Sequence, residues 1–248
     1  RARIDAADRA AATAASLATW DAAEYVCFAL QTVAGRMAPA FLDLDVTGRL
    51  VETVRQTAPA LVEAAVPQAV SWVDLTDVLR RLVEEEVGIG DMARILEALS
   101  QPPPGPRDTV LLAEQVRHAL REQITAKHLR GRDALPVLLL DPEIEVLFNG
   151  AIQRTAIGSY LALAPEHMQD VLAALRGAAH ALGPGMDGVV VLVTDAEVRR
   201  YVRKLVEPEF PTLHVVSRRD LAPDTRLHAA GHVRLGSPAP APEGGPSA

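Results

Sequence analysis

The run from Asp195 to Pro211, Asp-Ala-Glu-Val-Arg-Arg-Tyr-Val-Arg-Lys-Leu-Val-Glu-Pro-Glu-Phe-Pro, fixes one helix and both of its neighbours. Val198, Tyr201, Val202, Leu205 and Val206 fall at i, i+3, i+4, i+7 and i+8, so one face of a helix over 195–207 is buried. Two prolines then close it. On either side lie short apolar runs, 189–194 and 213–217, bounded by Gly, Pro and Asp as buried strands are. Strand, helix and strand make a βαβ unit, which requires parallel strands and a right-handed crossover. Arg199, Arg200, Arg203 and Lys204 stand off the sides of the apolar stripe, the pattern of a docking helix.

The remainder divides at Leu135. Before it every periodic segment is helical. Asp21 offers an N-cap for a helix over 22–38 that ends at Pro39, with Ala-rich residues 1–19 as its lead-in. Val46, Leu50, Val54 and Leu61 share one side of a second stretch, interrupted by Pro59 and closed by Pro67. Ser71 and Asp74 start a helix carrying Leu75, Val78, Leu79, Leu82 and Val83; after Gly88 and Gly90, Asp91 caps a helix with Met92, Ile95, Leu96 and Leu99. Beyond the Pro102–Pro106 punctuation, Asp108 caps one long helix to about His128. From Leu135 to Leu140 the apolar run is continuous, a helix follows over 165–182, and a last strand falls at 227–235. The fold class is therefore α+β: an all-α part followed by a small α/β sandwich holding the βαβ unit. The expected divisions are 1–40, 41–132, 133–236 and a Pro- and Gly-rich tail, 237–248, unable to pack.

Catalytic and metal motifs are thin. Gly183-Pro-Gly-Met-Asp-Gly188 has the letters of a dinucleotide fingerprint but runs from helix to strand, the reverse of the context that puts phosphate on a helix N-terminus. His228 and His232 have metalloprotease spacing without its Glu. Asp141, followed by Pro142, reads as an N-cap, and Ser159 lacks a nucleophile elbow. The expectation is no enzyme, no cofactor and no metal.

A net charge of −7 excludes general nucleic-acid binding, which needs a basic excess. The single cysteine, Cys27, sits in an apolar helical pattern and reads as core filler. No stretch has the ~20 apolar residues of a membrane helix. Opening on Arg1, the sequence reads as a fragment whose membrane anchor would lie upstream. Acidic residues Glu84, Glu85 and Glu86, with Asp74, Asp77 and Asp91, form a pole opposite the cationic helix, and such poles permit head-to-tail contacts that close into rings.

Several ordered blocks together resemble the export-gate family of bacterial type III secretion: the hairpin from Leu75 to Leu99, Leu135-Pro-Val-Leu-Leu-Leu-Asp-Pro-Glu143, Ala151 to Leu163, and Val198 to Pro211. The block from Ala151 to Leu163 is closer to the injectisome branch than to the flagellar one. Gly88 and Gly90 depart from the family's usual Ser and Arg in the hairpin turn. The resemblance implies a non-enzymatic cytoplasmic platform, nonameric in the family, under the bacterial inner membrane. It further implies export substrates, chaperones, a gatekeeper and the ATPase stalk as partners. On this reading 1–40 ends a first cytoplasmic subdomain, Glu84, Glu85, Asp91 and Arg94 face the ring interface, and Arg199, Arg200, Arg203 and Lys204 face a partner. The competing expectation is a receiver or transferase domain, suggested by the 189–194 strand running into an acidic helix start; it lacks clustered carboxylates for Mg²⁺.

Overall fold

Most described helices in this chain begin where a short polar side chain closes the first turn. A computed structural model describes residues 8, 19, 21–101, 108–155, 158–183, 188–193 and 195–236. The Ala-rich lead-in apart from residues 8 and 19, the middle of the Gly183–Gly188 loop and the tail from 237 lie outside the described residues. Asp21 caps α1 (Ala22–Met37) in a full capping box with Glu24. After a 3₁₀ turn, Ala38–Phe41, come α2 (Leu44–Arg55) and α3 (Pro59–Glu63), the latter running into a π-helical turn, Ala64–Ala69. Ser71 caps α4 (Trp72–Glu84), its hydroxyl accepting from the Asp74 amide at 3.0 Å and donating to the Asp74 carboxylate at 2.7 Å. Asp91 caps α5 (Met92–Ser100) and Asp108 caps α6 (Thr109–Ala119).

The expected single helix from Asp108 to His128 is instead two, α6 and α7 (Arg121–Leu129), turning at Leu120 with ψ of 11°. Neither Pro nor Gly marks the break. Leu120 and Ile124 stay buried through it, so the apolar stripe continues across the turn.

The α/β part runs β1 (Leu135–Leu140), α8 (Pro142–Ala151), β2 (Ile152–Thr155), β3 (Gly158–Leu161), α9 (Pro165–Leu182), β4 (Val190–Val193), α10 (Ala196–Val206), β5 (Val215–Ser217), a 3₁₀ turn (Arg218–Asp220) and β6 (Leu227–Val233). The four-stranded sheet has the order β5-β4-β1-β6 with every pair parallel, and β4-α10-β5 is the expected βαβ unit. β2 and β3 form an antiparallel hairpin that strand alternation does not announce.

Alternation along the sheet builds two cores. Leu135, Val137, Val190 and Val216 point toward the helical residues of α2 to α7. Leu138, Leu140, Val191, Val193 and Val215 point the other way, against α8, α9 and α10. The helical part is thus the layer that covers one sheet face, and this explains why the strands read as unbroken apolar runs.

Helix α1 departs from expectation. Val26, Leu30 and Val33 are more than half exposed, and Cys27 is exposed rather than buried in a core. An apolar pattern shows which residues want cover; it does not supply the cover. Cys27 should therefore react with a thiol reagent such as DTNB in the native chain at a rate close to that of the chain in denaturant. Slow labelling that requires unfolding is the outcome this exposure forbids.

Candidate functional site

Helix α10 carries the sequence-predicted cations, and its packing sorts them. Asp195 caps it, accepting from the Glu197 amide at 2.8 Å. Val198, Tyr201, Val202 and Val206 enter the core with α8 and α9. Arg199 and Arg203 lie one position along from the apolar stripe and are carried past the edge of β5. Both are buried, Arg199 to 1% exposure. The Arg203 guanidinium donates to the Leu213 carbonyl at 2.9 Å, and that of Arg199 reaches the Val215 carbonyl at 3.4 Å. These carbonyls point away from β4, whose Val191 amide donates to the intervening His214 carbonyl. Two arginines therefore satisfy the free edge of β5 where a further strand would otherwise sit.

Arg199 continues into the helical layer. It meets both oxygens of Glu85, just past α4, one at 3.0 Å, and both oxygens of Glu114 on α6, one at 3.1 Å. Arg117, also on α6, completes the cluster, contacting Glu85 at 3.2 Å and Asp220 at 3.1 and 3.3 Å. Asp220 in turn accepts from the Ser217 amide at 2.9 Å. Burial pushes the Glu85 and Asp220 carboxyls up, but Arg199 and Arg117 outweigh it and hold both below the usual carboxylate range. Burial likewise opposes the Arg199 charge, and Glu85 with Glu114 overcomes it, so the guanidinium stays protonated.

The expectation that all four cations stand off the helix is thus corrected for Arg199 and Arg203, which are consumed inside the chain. Arg200 is half-buried, donating to the Ser159 hydroxyl of β3 and, at 2.8 Å, to Tyr201. Lys204 is exposed. Among the expected interface residues, Glu84, Asp91 and Arg94 are exposed, whereas Glu85 is turned inward onto Arg199. Of the carboxylates in and just beyond α10, Glu207 pairs with Arg203, Glu197 with Arg154 and Glu209 with Arg176. Glu114, Arg117 and Asp220 were not among the expected site residues; the one signal was Arg117, a cation beside the stripe residue Val116 and within one turn of another, Leu120.

The chemistry-bearing residues elsewhere are dispersed. Asp141 and Asp195, at the ends of β1 and β4, are both spent as helix caps, accepting from Glu143 and Glu197 amides. His228 and His232 lie on strand β6, not on a helix. Among the described residues no three His, Cys, Asp or Glu side chains are grouped to hold a metal, and no helix is long and apolar enough to cross a membrane.

The comparisons with known proteins agree with this architecture. Residues 1–226 match the FHIPEP family. The hypersensitivity response secretion protein HrcV of Ralstonia nicotianae is 35% identical over 200 residues, covering 81% of this chain and 29% of its own length. The solved structure of the Chlamydia pneumoniae CdsV protein superposes with a TM-score of 0.82 at 34% identity, over 93% of this chain and 66% of that one; its complex with CdsO gives 0.80. A nonameric EPEC SctV-C assembly gives 0.77 at 27% identity, over 92% of this chain and 68% of that one. The chain thus spans under a third of the length of the secretion protein it matches.

Because Arg199 is the joint between layers, Arg199→Ala should lower stability by about 3–5 kcal/mol in urea unfolding at pH 7, leaving the buried Asp220 and the part-buried Glu85 and Glu114 with one guanidinium. Arg199→Lys should recover only part, since an ammonium cannot bridge two carboxylates bidentately. Lys204→Ala should stay within about 0.5 kcal/mol of the parent.

Proposed function

The chain belongs to the FHIPEP family, and on that premise we propose that it is the ring-forming cytoplasmic platform of a type III secretion export gate, non-enzymatic and of the injectisome kind. The observation that carries this reading is the superposition of nearly the whole chain on a domain solved as a nonamer. The platform sits at the cytoplasmic face of the inner membrane, with membrane attachment supplied by the part of the relatives that this chain does not span. It receives export substrates, their chaperones, the gatekeeper and the ATPase stalk; the relative solved with CdsO supports a partner on this fold.

The internal use of charge supports a platform rather than an active site. The deeply buried ionic groups Arg117, Arg199 and Asp220 are fully engaged with one another and with Glu85 and Glu114, which leaves them no vacancy for a reacting molecule. The surface keeps the charges that a neighbour can meet. We assign contacts between copies to Glu84, Asp91 and Arg94, and contact with an acidic partner to Lys204 with the half-exposed Arg200 beside it.

Sedimentation across a concentration series tests the reading. Mass should rise with concentration at low salt and fall when salt screens the contacts. Glu84→Arg and Arg94→Glu should each weaken association without shifting the melting temperature. A chain that stays monomeric at every concentration and salt would count against assembly through this part of the protein.

A further inference from the structure

Beside the Arg199 cluster, the seam between the helical layer and the sheet opens into a small cleft. Two imidazoles meet there from opposite layers. His128, near the end of α7, and His214, leading into β5, have ring centroids 4.9 Å apart at 59°. His128 is 8% exposed and the His214 side chain 18%. The charged groups around them are mostly cationic. Lys127 of α7, Arg130 just past its end, Arg117 of α6 and Arg203 of α10 face the pair, against the carboxylates of Glu85 and Glu86 from the turn after α4. Glu86 approaches His214 at 3.5 Å but is shared with Lys127 at 3.1 Å.

We propose that this histidine pair makes the seam an acid-opened joint: protonating the two facing imidazoles drives the end of α7 away from β5 while the two faces of the sheet remain packed. Geometry supplies the reason. Two imidazoliums at this separation would sit in a half-closed cleft that already holds more cations than carboxylates, and Glu86 is placed to relieve only one of them. Opening hydrates both rings at once. Burial, followed by the neighbouring charges, holds His128 down to about 3 and His214 to about 4, against 6.5 for a free imidazole. With closed-state values below the open-state value, closure is fully favoured above about pH 6.5 and is lost progressively as pH falls toward about 4. Each pH unit in that window shifts the closed–open balance by up to about tenfold per imidazole. Glu85 and Asp220 lose their charge only below the ordinary carboxylate range, so the Arg199 cluster still holds while the histidines titrate.

Hydrogen–deuterium exchange on the full chain, corrected for the intrinsic pH dependence of exchange, separates the joint from the rest. Between pH 6.5 and 5.0 the amides of α7 and of 214–217 should exchange at least tenfold faster, with α8 and α9 unchanged. His128→Gln with His214→Gln should abolish the acid response while matching the parent at pH 8. Unchanged exchange at the seam, or an equal rise throughout the chain, would overturn the proposal from the parent protein alone, whether or not the double variant folds; an acid response that persists in a folded double variant would overturn it as well.

Discussion

The buried guanidinium of Arg199 is the contact on which the arrangement of the two parts depends. It touches α4 through Glu85, α6 through Glu114 and the edge of β5 through the Val215 carbonyl, and Arg117 extends the same cluster to Asp220. Taking such charges out of water is costly, and the cost is offset only while every partner is in place. A cluster of this kind tolerates one geometry. It fixes the angle at which the helical layer meets the sheet more sharply than apolar contact alone, which accepts many small slides.

Around that joint the division into a helical part and an α/β part is one of chain order rather than of packing. Leu135, Val137, Val190 and Val216 of the sheet share a core with Leu75, Leu79, Val116 and Ile124 of the helices. The face that α2 to α7 turn to the sheet is therefore committed, and partners must be met on what remains. That remainder includes Glu84, Asp91, Arg94, Lys204, Arg218 and Arg219, side chains on helix ends and turns rather than along helix flanks.

Much of this was legible in the sequence, for identifiable reasons. Caps at Asp21, Ser71, Asp91, Asp108 and Asp141 are local chemistry, and each appears where the chain offers it. The apolar runs at 135–140 and 189–193 read as buried parallel strands because both their faces are covered. The fate of Arg199 and Arg203 was not legible. Periodicity identifies the stripe of α10, but residues flanking a stripe meet whatever lies beside the helix, and here that is a strand edge and two glutamates distant in sequence. The same limit applies to Cys27, whose helix has an apolar pattern without a covering layer, and to the turn at Leu120, where no breaking residue stands.

The order of strands in the sheet has a consequence for synthesis. β1, the first strand made, is interior to the sheet, between β4 and β6, and β6 is the last element of the described chain. As the polypeptide leaves the ribosome, β1 emerges with both of its edges bare and stays half-paired until the final strand arrives. Parallel pairing over such a separation forms late and leaves apolar edges open in the interval. The nascent sheet is thus at its most adhesive just before β6 joins it, and loss of β6 would expose an interior strand of the sheet rather than its margin.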